Sequence, residues 1–305
     1  MLVFATSDKG GTGRSVTSSN LVYRRSLQGS DVCYLDFDFG SPTAGAIFAI
    51  NDLLRGTSRG GLHSYLRGKA PQPFRVDVWA ESDRLSLRGR PDGAGRLVLV
   101  PGDSGGAEFA ATEEIVERCV RLLLRMEEEF DITLVDLSSG RSYATDIVLA
   151  ALAAPPLRGT TARWLVFHRW TRQHILAASG LVHGERGIIA MGQSRGHDPV
   201  RLSQAIRFVR TAVVDPRSEQ LSGLRPPQME WFQAYNSELQ QLAGQEKLGQ
   251  AVTLGSVPLE PVLQLREQLI SDADTVTKQI ANMATVDAFD LIAKLLTEDS
   301  AWEGV

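Results

Sequence analysis

The apolar run Met1-Leu2-Val3-Phe4-Ala5 leads almost directly into Lys9-Gly10-Gly11-Thr12-Gly13-Arg14-Ser15, and a helical pattern follows over Ser15–Leu27. A strand, a glycine-rich bend and a helix start turn backbone N–H groups toward an anion at the helix N-terminus. Glycines belong there because the chain must take φ > 0 and come close to a ligand with no Cβ in the way. The spacing departs twice from the common phosphate-loop form G-x-x-x-x-G-K-[ST]. Asp8 stands at the position of the first glycine and Arg14 at that of the lysine, while Lys9 opens the loop.

Beyond the loop, short apolar runs alternate with helical patterns. This alternation predicts an α/β fold: a mostly parallel central sheet with helices on both faces. Strands are expected at Leu2–Ala5, Asp31–Leu35, Arg96–Val100, Ile132–Val135, Arg163–Phe167 and Ala251–Val257. Runs as continuously apolar as Ile132-Thr133-Leu134-Val135 suit strands covered on both faces. Helices are expected at Ser15–Leu27, with Gly29 as stop signal, and at Glu113–Glu128, Thr171–Val182, Pro227–Gly244 and Thr275–Leu296. A single domain over 1–305 is expected, with insertions near 56–95 and 187–227. In the first insertion, Arg75–Glu81 and Arg84–Arg88 could pair as a hairpin. In the second, Arg201–Val214 reads equally as helix or strand.

Composition narrows the function classes. The net charge of −4 gives no bulk attraction to nucleic acid or anionic lipid. Cys33 and Cys119 make neither a metal-type spacing nor a disulfide framework. Cys33 lies in an apolar run and reads as a small buried hydrophobe. The N-terminus has no basic region followed by a long apolar stretch, and no run reaches the ~18 apolar residues of a membrane span, so a cytoplasmic protein is expected.

Further residues fall where a nucleotide hydrolase needs them. Ser15 opens the helix after the loop and can place its hydroxyl on Mg²⁺. Asp36-Phe37-Asp38 ends the second strand, where carboxylates of an open α/β sheet face the ligand crevice. Asp136 ends the run Ile132–Val135, a second carboxylate within reach of a metal. Pro258 begins a rigid loop suited to covering a base. Singly, an aspartate at a strand end is more often a cap or a solvated loop residue. It is the order and spacing behind the loop that make a nucleotide site.

With these residues in hand, the chain resembles the deviant Walker A ATPases of the ParA/MinD type. The resemblance rests on Lys9-Gly10-Gly11-Thr12-Gly13-Arg14-Ser15, Asn20-Leu21, Leu35-Asp36-Phe37-Asp38 and Asp131-Ile132-Thr133-Leu134-Val135-Asp136. It continues weakly through Leu254-Gly255-Ser256-Val257-Pro258 and Thr285-Val286-Asp287-Ala288-Phe289. An arginine in the loop brings it nearest to an actinobacterial variant set with Lys-Gly-Gly-x-Gly-Arg-Ser/Thr. The resemblance implies ATP and Mg²⁺ as cofactors and a nucleotide-dependent homodimer. Lys9 would reach the partner subunit's phosphates. Gly10, Gly11, Thr12, Gly13, Arg14, Ser15, Val16 and Pro258 would hold nucleotide, and Ser15, Asp38 and Asp136 would serve the metal. Asp38 would orient the attacking water, with Lys9 and Arg14 as the catalytic cations.

Arg14 is the departure with consequences. A guanidinium is longer, planar and forked, whereas the loop lysine acts as a compact point charge. The expectation is an ATP-dependent dimerising switch with slow hydrolysis, controlling an unidentified protein partner. One alternative is a non-hydrolysing scaffold that uses the fold only for binding; in a degenerate loop, Arg14 would pair internally with Asp36 or Asp136 and nothing would bind. The other is a DNA-associated partition ATPase. Arg207 and Arg210, if helical, would share a face (i, i+3) toward backbone phosphates, but a solvated face is the commoner meaning of such a pair. His168–His174 is read as a polar turn and a candidate partner surface.

Other outputs of the fold are excluded. Membrane attachment is not expected, because Leu296–Val305 is acidic rather than basic and amphipathic. Iron–sulfur chemistry lacks its cysteine pairs, and the tyrosine-rich tail of kinase relatives is missing. In Pro227–Gly244, Met229, Phe232, Leu239 and Leu242 follow core spacing. Trp231 and Tyr235 lie on a neighbouring face, either as docking aromatics or packed on an insertion.

Overall fold

Leu2–Thr6 forms β1 and is buried along its whole length, as befits a strand covered on both faces. The computed structural model describes residues 1–215, 221 and 223–303. The other strands are β2 (Val32–Phe37), β3 (Val76–Asp77), β4 (Leu97–Val100), β5 (Ile132–Leu137), β6 (Ala162–Arg169), β7 (Ile206–Val213) and β8 (Thr253–Pro258). Their order in the sheet is β3-β4-β2-β5-β1-β6-β7-β8, and every neighbouring pair is parallel except β3 with β4. From the central β1 the chain first winds outward to β2 and β4, then returns through β5 and continues on the other side to β6, β7 and β8. The carboxyl end of β1 is therefore the switch point at which an open α/β sheet leaves a ligand crevice.

The larger helices are α1 (Arg14–Leu27), α2 (Glu113–Glu129), α3 (Tyr143–Ala153), α4 (Arg172–His183), α5 (Pro226–Gln245) and α6 (Met283–Leu295). Because side chains alternate along a strand, β1 feeds two cores. Leu2 and Phe4 pack with Leu123, Met126, Val148 and Ile175 on one face. Val3 and Ala5 pack with Leu21, Val22, Phe289 and Ile292 on the other. Thr112 caps α2 by accepting from the Ile115 N–H, and Ser142 caps α3 through the Thr145 N–H. Cys33 is fully buried against Met126, as its apolar neighbours predicted.

The structure departs from the expected elements in several places, the unexpected helix α3 (Tyr143–Ala153) among them; four others have a local cause. No hairpin forms over 75–88. Val76–Asp77 pairs with β4 instead, and the Asp77 carboxylate accepts from the Trp79 N–H to start a short helix over Val78–Glu81. The ambiguous stretch splits: Asp198 and Pro199 start a short helix that ends at Gln204, and the β-branched and aromatic run behind it becomes β7. Arg207 and Arg210 consequently share no helix face. Third, α6 begins only at Met283, because the buried Glu260 carboxylate accepts from the Asn282 N–H and the Thr285 hydroxyl and fixes the start there. Fourth, α5 buries Leu239 but leaves Met229, Phe232 and Leu242 half-buried. Trp231 is exposed and stacks on Tyr235 with ring centroids 5.3 Å apart.

Residues 216–220 and 222 of the second expected insertion, and Gly304 and Val305 of the acidic tail, lie outside the described residues. Among the described residues no helix is long and apolar enough to cross a membrane.

Candidate functional site

The glycine-rich loop joins β1 to α1 at the switch point. Gly11 (φ 72°) and Gly13 (φ 76°) both sit in the left-handed region, where a side chain would be strained. A Cβ at Gly10 or Gly11 would meet no atom within 4 Å, so this stretch of backbone faces open space. The loop is pinned from beneath: Thr12 is buried, and its carbonyl accepts from the Thr211 hydroxyl on β7 at 2.5 Å. The cavity above the loop holds about 560 Å³, within the roughly 300–1,000 Å³ usual for small-molecule sites.

Gly10, Gly11, Thr12, Gly13, Arg14, Ser15, Val16, Asp38 and Pro258 all line this cavity, so the structure brings most of the sequence-predicted site together. Pro258 ends β8 and forms an apolar wall with Val257 and Leu263. Lys9 is half-buried and stands outside the lining. Its charge is felt instead by His174 on α4, whose pKa is lowered first by burial and then by Lys9.

Arg14 is the best-anchored charge of the site. Its Nε donates to Asp136 Oδ1 at 2.6 Å, and its Nη2 donates to Asp38 Oδ2 at 2.8 Å and to the Ser15 hydroxyl at 3.2 Å. The side chain is 6% exposed, and that of Asp136 2%. Burial opposes the guanidinium charge, but Asp136 and Asp38 outweigh it and raise the Arg14 pKa above its ordinary value. Asp136 is held a second time, by the Tyr34 hydroxyl at 2.8 Å. Tyr34, Asp36 and Asp136 share the α1 face of the sheet, since Asp36 lies in register with Asp136. Asp36 accepts from the Ala44 N–H at 3.2 Å. Burial first, and then the charge of Asp136, push the Asp36 carboxyl well above the usual carboxylate range.

This arrangement answers whether the expected metal donors fit a divalent cation. Ser15, Asp38 and Asp136 each receive a hydrogen bond from the one guanidinium. Among the described residues no group of three His, Cys, Asp or Glu side chains is placed to hold a metal. As they stand, the donors do not fit Mg²⁺, which would have to displace a cation already in contact with the same oxygens.

Several lining residues lay outside the sequence-predicted site, Arg169 and Ala212 among them. Arg169 lines the cavity from the carboxyl end of β6, a position the strand-end rule that picked out Asp38 would also have flagged. Ala212 lines it with a positive φ of 50°, and nothing in its identity signals this.

An eight-stranded, mostly parallel sheet among the described residues, with a glycine-rich loop at its switch point, is the fold of the MinD/ParA P-loop NTPases. Nearly all of the chain aligns with solved structures of that fold. The MinC:MinD cell division protein complex of Aquifex aeolicus aligns with a TM-score of 0.59 and 14% identity, over 97% of this chain and 96% of that one. Cobyrinic acid a,c-diamide synthase of Mycobacterium smegmatis, with bound ADP and magnesium, aligns with a TM-score of 0.58 and 15% identity, over 97% and 94%. A plasmid partition protein of Borrelia burgdorferi aligns with a TM-score of 0.53 and 12% identity, over 97% and 96%. No family model matches the chain, and no curated protein sequence does.

Proposed function

We propose that this chain is an adenine-nucleotide-binding switch of the ParA/MinD kind, which dimerises around ATP and controls a protein partner. The observation that carries this reading is the open loop backbone of Gly10–Gly13, with its two left-handed glycines, at the N-terminus of α1. Amides so arranged, together with the positive end of a 14-residue helix, favour a phosphate. The apolar wall at Val257, Pro258 and Leu263 suits a base at the other end of the cavity. ADP in one solved structure of this fold and a partner protein in another support a nucleotide and a protein partner here.

Roles follow for the chain's own residues. The loop amides bind and orient the phosphates, and Lys9, outside the lining of its own cavity, serves the partner subunit. Asp38 positions the attacking water. Because its Oδ2 is held by Arg14, hydrolysis is slow. Sizing the protein with ATP, with ADP and without nucleotide tests the switch. ATP should double the mass of the wild type, while Lys9→Ala stays monomeric in all three conditions. A wild-type mass that ignores nucleotide refutes the reading.

A further inference from the structure

We propose that the Arg14 guanidinium is a built-in replacement for the divalent cation, so that this site takes a nucleoside phosphate without metal. The proposal rests on the nucleotide-switch reading and deepens it. A metal ion in such a site has two tasks: to neutralise the carboxylates at the strand ends and to bridge them to a phosphate oxygen.

Arg14 already performs the first. It donates to Asp136, Asp38 and Ser15 along two of its nitrogens, and its side chain is 6% exposed. The geometry leaves it equipped for the second. Nη1 makes no hydrogen bond among the described residues, it is not sealed from solvent, and Arg14 lines the cavity. A planar guanidinium whose other nitrogens are fixed by carboxylates holds the remaining one in a single orientation, available to an anion in the cavity that Arg14 lines. The Tyr34 hydroxyl occupies the second oxygen of Asp136, which leaves that carboxylate without a lone oxygen turned to an incoming ion. A lysine at position 14 would carry the same charge as a point on one nitrogen, without the fork by which separate nitrogens of Arg14 reach Asp136 and Asp38.

Calorimetric titration of the full chain with ATP and with ADP, each in excess EDTA and again in excess magnesium, tests this. For the wild type, the dissociation constants with and without magnesium should agree within about threefold. Arg14→Lys, which frees Asp38 and Asp136 for a metal, should bind more tightly in magnesium by about tenfold or more. A wild type whose affinity rises tenfold or more with magnesium overturns the proposal while leaving the switch reading intact. Metal-indifferent binding by both proteins also overturns it, because something other than Arg14 would then replace the cation. No heat in any wild-type titration refutes the switch reading itself, and the proposal falls with it. The wild-type titrations decide the matter on their own if Arg14→Lys does not fold.

Discussion

Asp136 shows how much of this site is held by a few buried polar contacts. Its two oxygens are taken by Arg14 and Tyr34, and almost none of the carboxylate reaches solvent. Removing the charge leaves a guanidinium buried with only the partly exposed Asp38 as counter-ion. Asp136→Asn should therefore cost about 3–5 kcal/mol of stability, the usual penalty for breaking a buried pair from one side. Tyr34→Phe removes one hydrogen bond to a charged group and should cost about 1.5–3 kcal/mol. Urea unfolding of the two variants checks the ranking; a cost for Asp136→Asn no greater than that for Tyr34→Phe would mean that water already compensates Arg14. The loop and its carboxylates were legible in the sequence because glycine and aspartate have strong local meanings after a strand. The choice between partners was not. Asp36 and Asp38 are two residues apart and look alike on paper. Only the turn after β2 sends Asp36 to the Ala44 amide and Asp38 to Arg14.

At the scale of elements, the strands with buried faces were readable and the segments set by a single contact were not. β1, β2, β4, β5 and β6 appear within a residue or two of their apolar runs, since burial on both faces imposes continuous hydrophobicity. The hairpin over 75–88 failed because one cap at Asp77 outweighed the strand pattern. The C-terminal helix began late because the buried Glu260 fixes its start, a contact of long sequence separation that periodicity cannot report. The docking of α6 on β8 is tight enough to test. A Cβ at Gly255 would collide with the Cγ1 and Cδ1 atoms of Ile292. Gly255→Ala should therefore cost about 1–3 kcal/mol, as overpacking does, and Ile292→Val in the same chain should return part of that loss. Additive costs in the double variant, measured by urea unfolding, would show that the two residues do not press on each other.

For the molecule as a whole, the disposition of charge separates a nucleotide switch from a DNA-tethered ATPase. The chain carries 32 basic against 36 acidic residues, so any hold on DNA would need a local patch. Of the basic pair singled out for that role, Arg207 lies inside the fold and Arg210 is half-buried. Arg207 is 1% exposed and donates to the carbonyls of Ala301, Gln204 and Ile206. The Arg210 guanidinium lies over the Trp170 ring, 4.1 Å from its centre, and donates to Leu248. Neither is free to replace a condensed counter-ion, and counter-ion release supplies nearly all of non-specific DNA affinity. Retention of the ATP-loaded protein on duplex DNA should accordingly be weak, with a plot of log affinity against log salt close to flat. A protein neutralising several phosphates would instead give a slope of about −0.9 for each phosphate contacted. A steep slope that persists in Arg207→Gln and Arg210→Gln would place the contact on another surface and restore the partition role. A steep slope abolished by those changes would mean that β7 opens when nucleotide binds.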